Sequence, residues 1–211
     1  MLNLENEKII SDFIIGIDEV GRGPLAGPVV SAAVHLSKDF KTDDLNDSKK
    51  MSKSKRQEIY NSIINKCDYQ IGIANVVEID KYNILQATFL SMNRAIKKFN
   101  LPSNYKILVD GPWSFDKKNN NIIPKIRGDS IYPSIAAASI VAKVYRDNLM
   151  LDLSKEFSNY YWERNSGYGT KKHIEAIKSY GVTEHHRKTF APIHKILSLK
   201  KKWIPNKKIV C

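Results

Sequence analysis

Residues 13–23 read FIIGIDEVGRG. Phe13 to Val20 is apolar and β-branched apart from one Asp-Glu pair, and Gly21 breaks it, so a strand ending in a turn is predicted. Residues 28–36, PVVSAAVHL, predict a second strand, and the intervening GRGPLAG is too rich in Gly and Pro to be anything but a turn. Asp18 and Glu19 therefore stand at the mouth of an apolar strand. A carboxylate there is costly unless it is paired, hydrogen-bonded or bound to a cation.

Outward from this hairpin the chain alternates helix and strand. After the loop KTDDLNDSKKM (41–51), Ser52 can cap a helix whose inner face is Ile59, Ile63 and Cys67. YQIGIANVV (69–77) predicts a third strand. Leu85, Phe89, Met92, Ile96 and Phe99 recur in steps of four and three, which predicts a helix over 80–99 with Asp80 at its start. KILVD (106–110) is a short apolar strand that again ends in a carboxylate, and IIPKI (122–126) fits a further strand. Pro133 opens a long helix, PSIAAASIVAKVYRDNLMLDLSKEF, whose Ala136–Ala138 run permits close packing on a sheet. From about residue 160 a Gly-punctuated loop leads to a helix from Thr170 to Gly181, then HHRKTFAP and a basic tail. The sum is an α/β fold: a mixed sheet flanked by helices, with the main domain expected over 1–158 and a small helical C-terminal extension with a basic tail over 159–211.

Composition narrows the partners without choosing among them. Of 211 residues 42% are hydrophobic and 27% charged, ordinary for a globular chain. The formal net charge of +12 points to a polyanion, although simple solubility charge would look the same. No apolar run nears the roughly 20 residues that cross a bilayer, and the N-terminus lacks the basic start of a signal peptide. With only Cys67 and Cys211, a disulfide framework or cysteine zinc site is not expected, and a reducing cytoplasm fits.

Four carboxylates stand apart from the lysine-rich background: Asp18, Glu19, Asp110 before Gly111, and Asp129 in RGDS ahead of the long helix. Capping a turn is the commoner role for any one of them. Brought together they would repel, and a divalent cation bound by oxygen alone, Mg²⁺ or Mn²⁺, would relieve the repulsion. Two such ions can support hydrolysis of a phosphodiester without a Ser or His nucleophile. One geometric difficulty is plain: neighbours on a regular strand point to opposite faces, so Asp18 and Glu19 can share a site only if the strand ends or bulges there. Gly21 would allow that.

These residues resemble a family. GIDEVGRGPLAGPVVSAAV (16–34) looks like the signature of type 2 ribonuclease H, the ribonuclease HII family. The likeness continues through DSKKMS (47–52), EIDKYNILQATFLSMNRA (78–95), LVDG (108–111), RGDSIYPSIAAASIVAKVYRD (127–147), SGYGTKKH (166–173) and HHRKTFAP (185–192). The resemblance implies the ribonuclease H-like mixed five-stranded sheet and an endoribonuclease. Such an enzyme cuts the RNA strand of RNA–DNA hybrids and nicks 5′ to ribonucleotides embedded in duplex DNA, leaving a 3′-hydroxyl, as replication and ribonucleotide excision repair require.

The resemblance also implies roles. Asp18, Glu19, Asp110 and Asp129 become the catalytic, metal-binding set for two Mg²⁺ or Mn²⁺ ions. Gly21, Arg22 and Gly23 would read the ribonucleotide, and Tyr168 would stack on the sugar at the RNA–DNA junction. Lys49, and Lys143 with Arg146 at helical spacing, are candidate phosphate contacts, though such residues are ordinarily solvated.

Two other functions would fit a basic chain with these carboxylates. A junction resolvase-like carboxylate nuclease of the same fold would cut branched DNA, and a non-catalytic basic nucleic-acid-binding module would bind without cleaving. GRGPLAG is not a phosphate-loop fingerprint, because a strand follows it and no GK[ST] is present. RGD at 127–129 has no extracellular context, and adjacent His185 and His186 lack ligand spacing, so a surface or phosphate-facing place is expected for them. GPWSFDKKNNN (111–121) departs from the family's usual continuation, and Arg127 stands where Lys is common. About a dozen residues precede the first strand, which favours type 2 over type 3 enzymes with their added N-terminal domain. The chain is expected to act as a monomer. KKWIPNKKIVC (201–211) could dock a partner such as a sliding clamp or only add charge.

Overall fold

A computed structural model describes residues 2–45 and 51–202. Strands β1 (Phe13–Val20), β2 (Val29–His35), β3 (Asp68–Ala74), β4 (Tyr105–Asp110) and β5 (Ile122–Lys125) form one sheet in the order β3-β2-β1-β4-β5. β1, β2 and β3 are an antiparallel meander, and β1, β4 and β5 run parallel. Helices α1 (Glu5–Lys8), α2 (Lys53–Lys66), α3 (Val76–Ile96), α4 (Pro133–Glu156), α5 (Trp162–Asn165), α6 (Lys171–Tyr180) and α7 (Ala191–Lys202) surround it.

β1 lies between two other strands and is buried on both faces, which is why its apolar residues do not alternate with polar ones. Ile15 and Ile17 pack with Met92, Ala95 and Ile96 of α3. Ile14 on the opposite face meets Leu108 and Ile135 of α4. Gly16 is required there, since a Cβ would fall inside the Ser134 backbone. The Ala136–Ala138 run is fully buried, so α4 lies almost backbone to backbone on the sheet.

The first turn of α4 is capped from a distant part of the chain. Glu7 of α1, nearly buried, accepts hydrogen bonds from the Ser134 amide and hydroxyl, both at 2.8 Å. A carboxylate satisfies orphan amides there and complements the helix dipole. Burial nonetheless raises its pKa.

Two expected boundaries shift. β3 stops at Ala74 and α3 begins at Val76 rather than at 80, because Asn75 and Glu78 form a reciprocal capping box. Asp80 therefore caps nothing in α3 and instead accepts from the Lys188 amide and from the Thr189 amide and hydroxyl. α3 is also interrupted at Asn83 (φ 66°, ψ 165°), whose side chain accepts from the amides of Leu85 and Gln86 and so restarts the helix. Ser52, Pro133 and Thr170 start their helices as the sequence predicts.

The C-terminal helices do not hang free. Leu25 and Ala26 of the β1–β2 loop join Met150, Trp162, Ala176, Ile177 and Ile193 in one apolar cluster. Backbone bonds run from the Leu25 amide to the Gly167 carbonyl (2.8 Å) and from the Arg187 amide to the Leu25 carbonyl (2.8 Å). Among the described residues no helix is long and apolar enough to cross a membrane.

Candidate active site

The geometric difficulty at Asp18 and Glu19 is resolved by a neighbouring strand. The β1–β2 ladder runs without a bulge to Val20↔Val30, so the two side chains do point to opposite faces. The β1–β4 ladder, however, ends at Ile17↔Val109, and β4 stops at Asp110. Asp18 and Asp110 are the next residues on their strands and share the α4 face. Glu19 lies one step further on, past the end of β4, where no strand separates the faces. Glu19 and Asp110 both line a pocket of about 100 Å³ with Arg22, Phe89, Met92 and Trp113.

Asp18 is buried, with 7% of its surface exposed. Burial first, then the charges of Glu19 and Asp110, push its pKa well above the usual carboxylate range. Hydrogen bonds from Ser139 of α4 and from the Glu19 amide (2.7 Å) offset only part of this. Asp110 Oδ1 accepts from the Gly128 amide at 2.7 Å, which ties the end of β4 to the turn Gly128–Ser130. Half-buried Asp129 follows in that turn. Glu19 receives Arg22 Nη1 at 3.3 Å.

Among the described residues no three His, Cys, Asp or Glu side chains close tightly enough to hold a metal ion as they stand. The donor set still suits a hard divalent cation. It offers oxygen alone, and such a cation would offset the burial and the carboxylate repulsion that together raise the Asp18 pKa.

Gly21 (φ 94°) turns the chain out of β1, and a Cβ there would strike the Arg146 side chain. Arg22 and Gly23 are exposed, and the Tyr168 ring, itself 45% exposed, lies 3.6 Å from where a Gly23 Cβ would be. GRG and Tyr168, 145 residues apart in sequence (168 − 23), thus meet beside the carboxylates. Lys143 is half-buried one turn beyond Ser139 and pairs with Asp147 at 2.7 Å. Lys49 lies outside the described residues, as does most of the basic tail.

Arg146 requires a correction. It is fully buried rather than presented to phosphate, and it donates to the carbonyls of Pro28 (2.9 Å), Ser166 (2.9 Å) and Ala26 (3.0 Å). The turn that closes over it contributes those acceptors, which no local sequence pattern announces.

His186 is also corrected from surface to core, with no exposed area, while His185 is partly buried. Trp162 Nε1 can only donate, so His173 Nε2 accepts it (3.0 Å) and the His173 proton sits on Nδ1, donated to the Tyr168 carbonyl (2.8 Å). His186 Nδ1 accepts the Thr183 amide (3.0 Å), which leaves its proton on Nε2 to be donated to His173 Nε2 (3.2 Å). Both rings are therefore neutral. Burial lowers the His173 pKa, and burial together with the nearby His173 and His185 lowers that of His186 to about 3.

Several residues here escaped the sequence reading. Ser139 carried a signal, a hydroxyl in the apolar run IAAASIVA. Trp113, 57% exposed beside Asp110, lies in the segment that departs from the family pattern. Arg187 carried none, standing in HHRK just ahead of a basic tail.

The chain is similar to known proteins along most of its length. The Ribonuclease HII family matches residues 15–194. A ribonuclease HII of Orientia tsutsugamushi (strain Ikeda) is 54% identical over 189 residues, 90% of this chain and 90% of the relative. One from Wolbachia sp. subsp. Brugia malayi (strain TRS) is 52% identical over 191 residues, covering 90% and 92%. The crystal structure of ribonuclease H2 from Pyrococcus horikoshii OT3 superposes with a TM-score of 0.71 at 25% identity, over 90% of this chain and 99% of that one. By sequence and by fold, the chain belongs to the ribonuclease HII family, hydrolases that cleave RNA in RNA–DNA hybrids.

Proposed function

We propose that the protein cuts the RNA strand of hybrids and nicks duplex DNA on the 5′ side of an embedded ribonucleotide, leaving a 3′-hydroxyl. The observation that carries this reading is the meeting of the Asp18–Glu19–Asp110 group with the GRG turn and Tyr168 at one end of the sheet.

Basic side chains draw the duplex in through its phosphates, with little regard for base sequence. Gly21, buried, turns the chain so that the exposed backbone at Arg22 and Gly23 comes close enough to touch a 2′-hydroxyl, the group that separates RNA from DNA. The Tyr168 ring stacks on the adjoining sugar and fixes which phosphodiester faces the carboxylates. Asp18, Glu19, Asp110 and Asp129 would hold two divalent cations, Mg²⁺ or Mn²⁺. When bound, such ions stabilise the charge that develops on the phosphodiester and favour ionisation of the attacking water. Ser139 and the Glu19 amide keep Asp18 oriented, and the Gly128 amide does the same for Asp110. The same reading places the chemistry within residues 1–158 and gives the 159–211 extension the task of holding Tyr168, in a monomer working in the cytoplasm.

The test is cleavage of a DNA duplex holding one ribonucleotide, with Mg²⁺ or Mn²⁺ against chelator and an all-DNA duplex as control. A single metal-dependent nick 5′ to the ribonucleotide is expected. Asp110→Asn should abolish it while substrate binding persists. Cutting of branched DNA without regard to a 2′-hydroxyl would transfer the reading to a resolvase, and binding without any cleavage to a passive module.

A further inference from the structure

Two arginines are buried completely behind the GRG turn, and every acceptor they use is a main-chain carbonyl. Arg187 Nε and Nη2 donate to the Gly27 carbonyl (3.0 and 2.8 Å), Nη1 donates to the Arg22 carbonyl (2.9 Å), and Nη2 also reaches the Gly21 carbonyl. Arg146 sits behind it and holds Pro28 and Ala26 on the returning side of the same loop. Burial, and for Arg187 the charge of Arg146, draw their pKa values down to about 9 and about 10, so both remain cations at neutral pH.

Asp147 and Asp80 act on Arg146 and Arg187 only through space, with no hydrogen bond to either guanidinium, so two buried like charges are a costly way to hold a loop whose carbonyls neutral donors could satisfy. The arrangement does something neutral donors would not. The Gly21 carbonyl and the Arg22 amide are the two ends of one peptide unit, and the Arg22 carbonyl and the Gly23 amide are the ends of the next. A cation at the oxygen end polarises the unit and strengthens the N–H at the other end as a donor. Among the described residues neither the Arg22 nor the Gly23 amide donates to a protein acceptor, and both residues are exposed beside Tyr168.

We propose that Arg187, backed by Arg146, is a positioning residue that sets ribonucleotide selectivity, by aiming and polarising the Arg22 and Gly23 amides toward a 2′-hydroxyl and its neighbouring phosphate. The inference rests on the reading of GRG given under the proposed function. The substrate backbone adds its negative charge to that of Asp80 and Asp147, which the two guanidinium groups feel only through space. Arg187 touches no substrate and acts through the loop.

The experiment is equilibrium binding, in chelator so that nothing is cut, of the full chain to a duplex with one ribonucleotide and to the same duplex in all-DNA form. The ratio of the two dissociation constants is the readout, because it does not depend on what fraction of a variant is folded. Arg187→Gln should lower the ratio of the all-DNA to the ribonucleotide dissociation constant about fivefold to tenfold, the worth of about one ordinary net hydrogen bond. Arg187→Lys keeps the charge, loses the planar fork, and should fall between the two. If Arg187→Gln does not fold, the lysine variant must still lower the ratio. An unchanged ratio in a folded Arg187 variant overturns the inference and leaves the GRG reading standing. Equal binding of both duplexes by the wild-type chain would instead remove the GRG reading itself.

Discussion

Acidification should unlatch the buried histidine pair, and the size of the effect follows from the structure. His186 is neutral in the fold with a pKa near 3, against 6.5 for an ordinary histidine. Its folded pKa is depressed, so the unfolded chain takes up the proton first. The stability it contributes is complete above pH 6.5 and drains away as pH falls from there toward 3. Between pH 7 and pH 5 the linkage amounts to about 2 kcal/mol for this one ring. His173 adds to it in the same direction. Asp18 and Glu7 act the other way, since a raised carboxylate pKa favours the folded state as pH drops. The clean measurement is therefore a difference. His186→Gln keeps a donor toward His173 and cannot titrate, so it should be destabilised at pH 7 by its lost Thr183 contacts. By pH 5 the gap between wild type and variant should have closed by about 2 kcal/mol, or roughly 4–8 °C in Tm for a chain of this size. Denaturant titrations at the two pH values would check it. A gap that stays constant would mean that His186 is not held neutral and that the proton assignments along Trp162, His173 and His186 are wrong.

Other substitutions test other parts of the structure. Asp18→Asn removes a buried charge crowded by Glu19 and Asp110, so calorimetry without metal should find Tm a few degrees higher while cleavage falls by about 10³-fold or more. Gly16→Ala drives a methyl into the Ser134 backbone, and chemical denaturation should register a loss of about 3 kcal/mol, the upper part of the usual overpacking range. Glu7→Ala uncaps α4 and should cost about 1 kcal/mol by the same method, with the RNA-cutting rate of the folded protein nearly unchanged.

What could be read from the sequence depended on whether a residue's neighbours in the chain are also its neighbours in space. Asp18, Glu19 and Asp110 stood out because apolar strand residues precede them directly, and the strands they end are the ones found. The start of α3 was also written locally: Asn75 and Glu78 have the capping-box spacing, but the β-branched Val76 and Val77 between them read equally well as strand. Arg146 shows the opposite case. At helical spacing from Lys143 it looks like a solvated cation, and only carbonyls 118 and 120 residues away make it a core residue. His186 looks like half of a surface pair until α6 supplies His173. Long-range partners carry no local signature, and the buried polar residues of this protein depend on them.

The Arg187 clamp has a further consequence for the order in which the protein is made. Its bonds to Gly21, Arg22 and Gly27 span 166, 165 and 160 residues, among the most distant pairings in the chain. Every strand, and every carboxylate of the candidate site, is synthesised by residue 129. Closing so long a loop is slow and comes late. A nascent chain can thus assemble its sheet and acidic cluster while the GRG turn is still unsecured. The turn is locked only when the segment around Arg187, tethered on its other side by Asp80, has left the ribosome. A chain cut short before that point would keep the carboxylates of the candidate site and lose the clamp on the turn beside them.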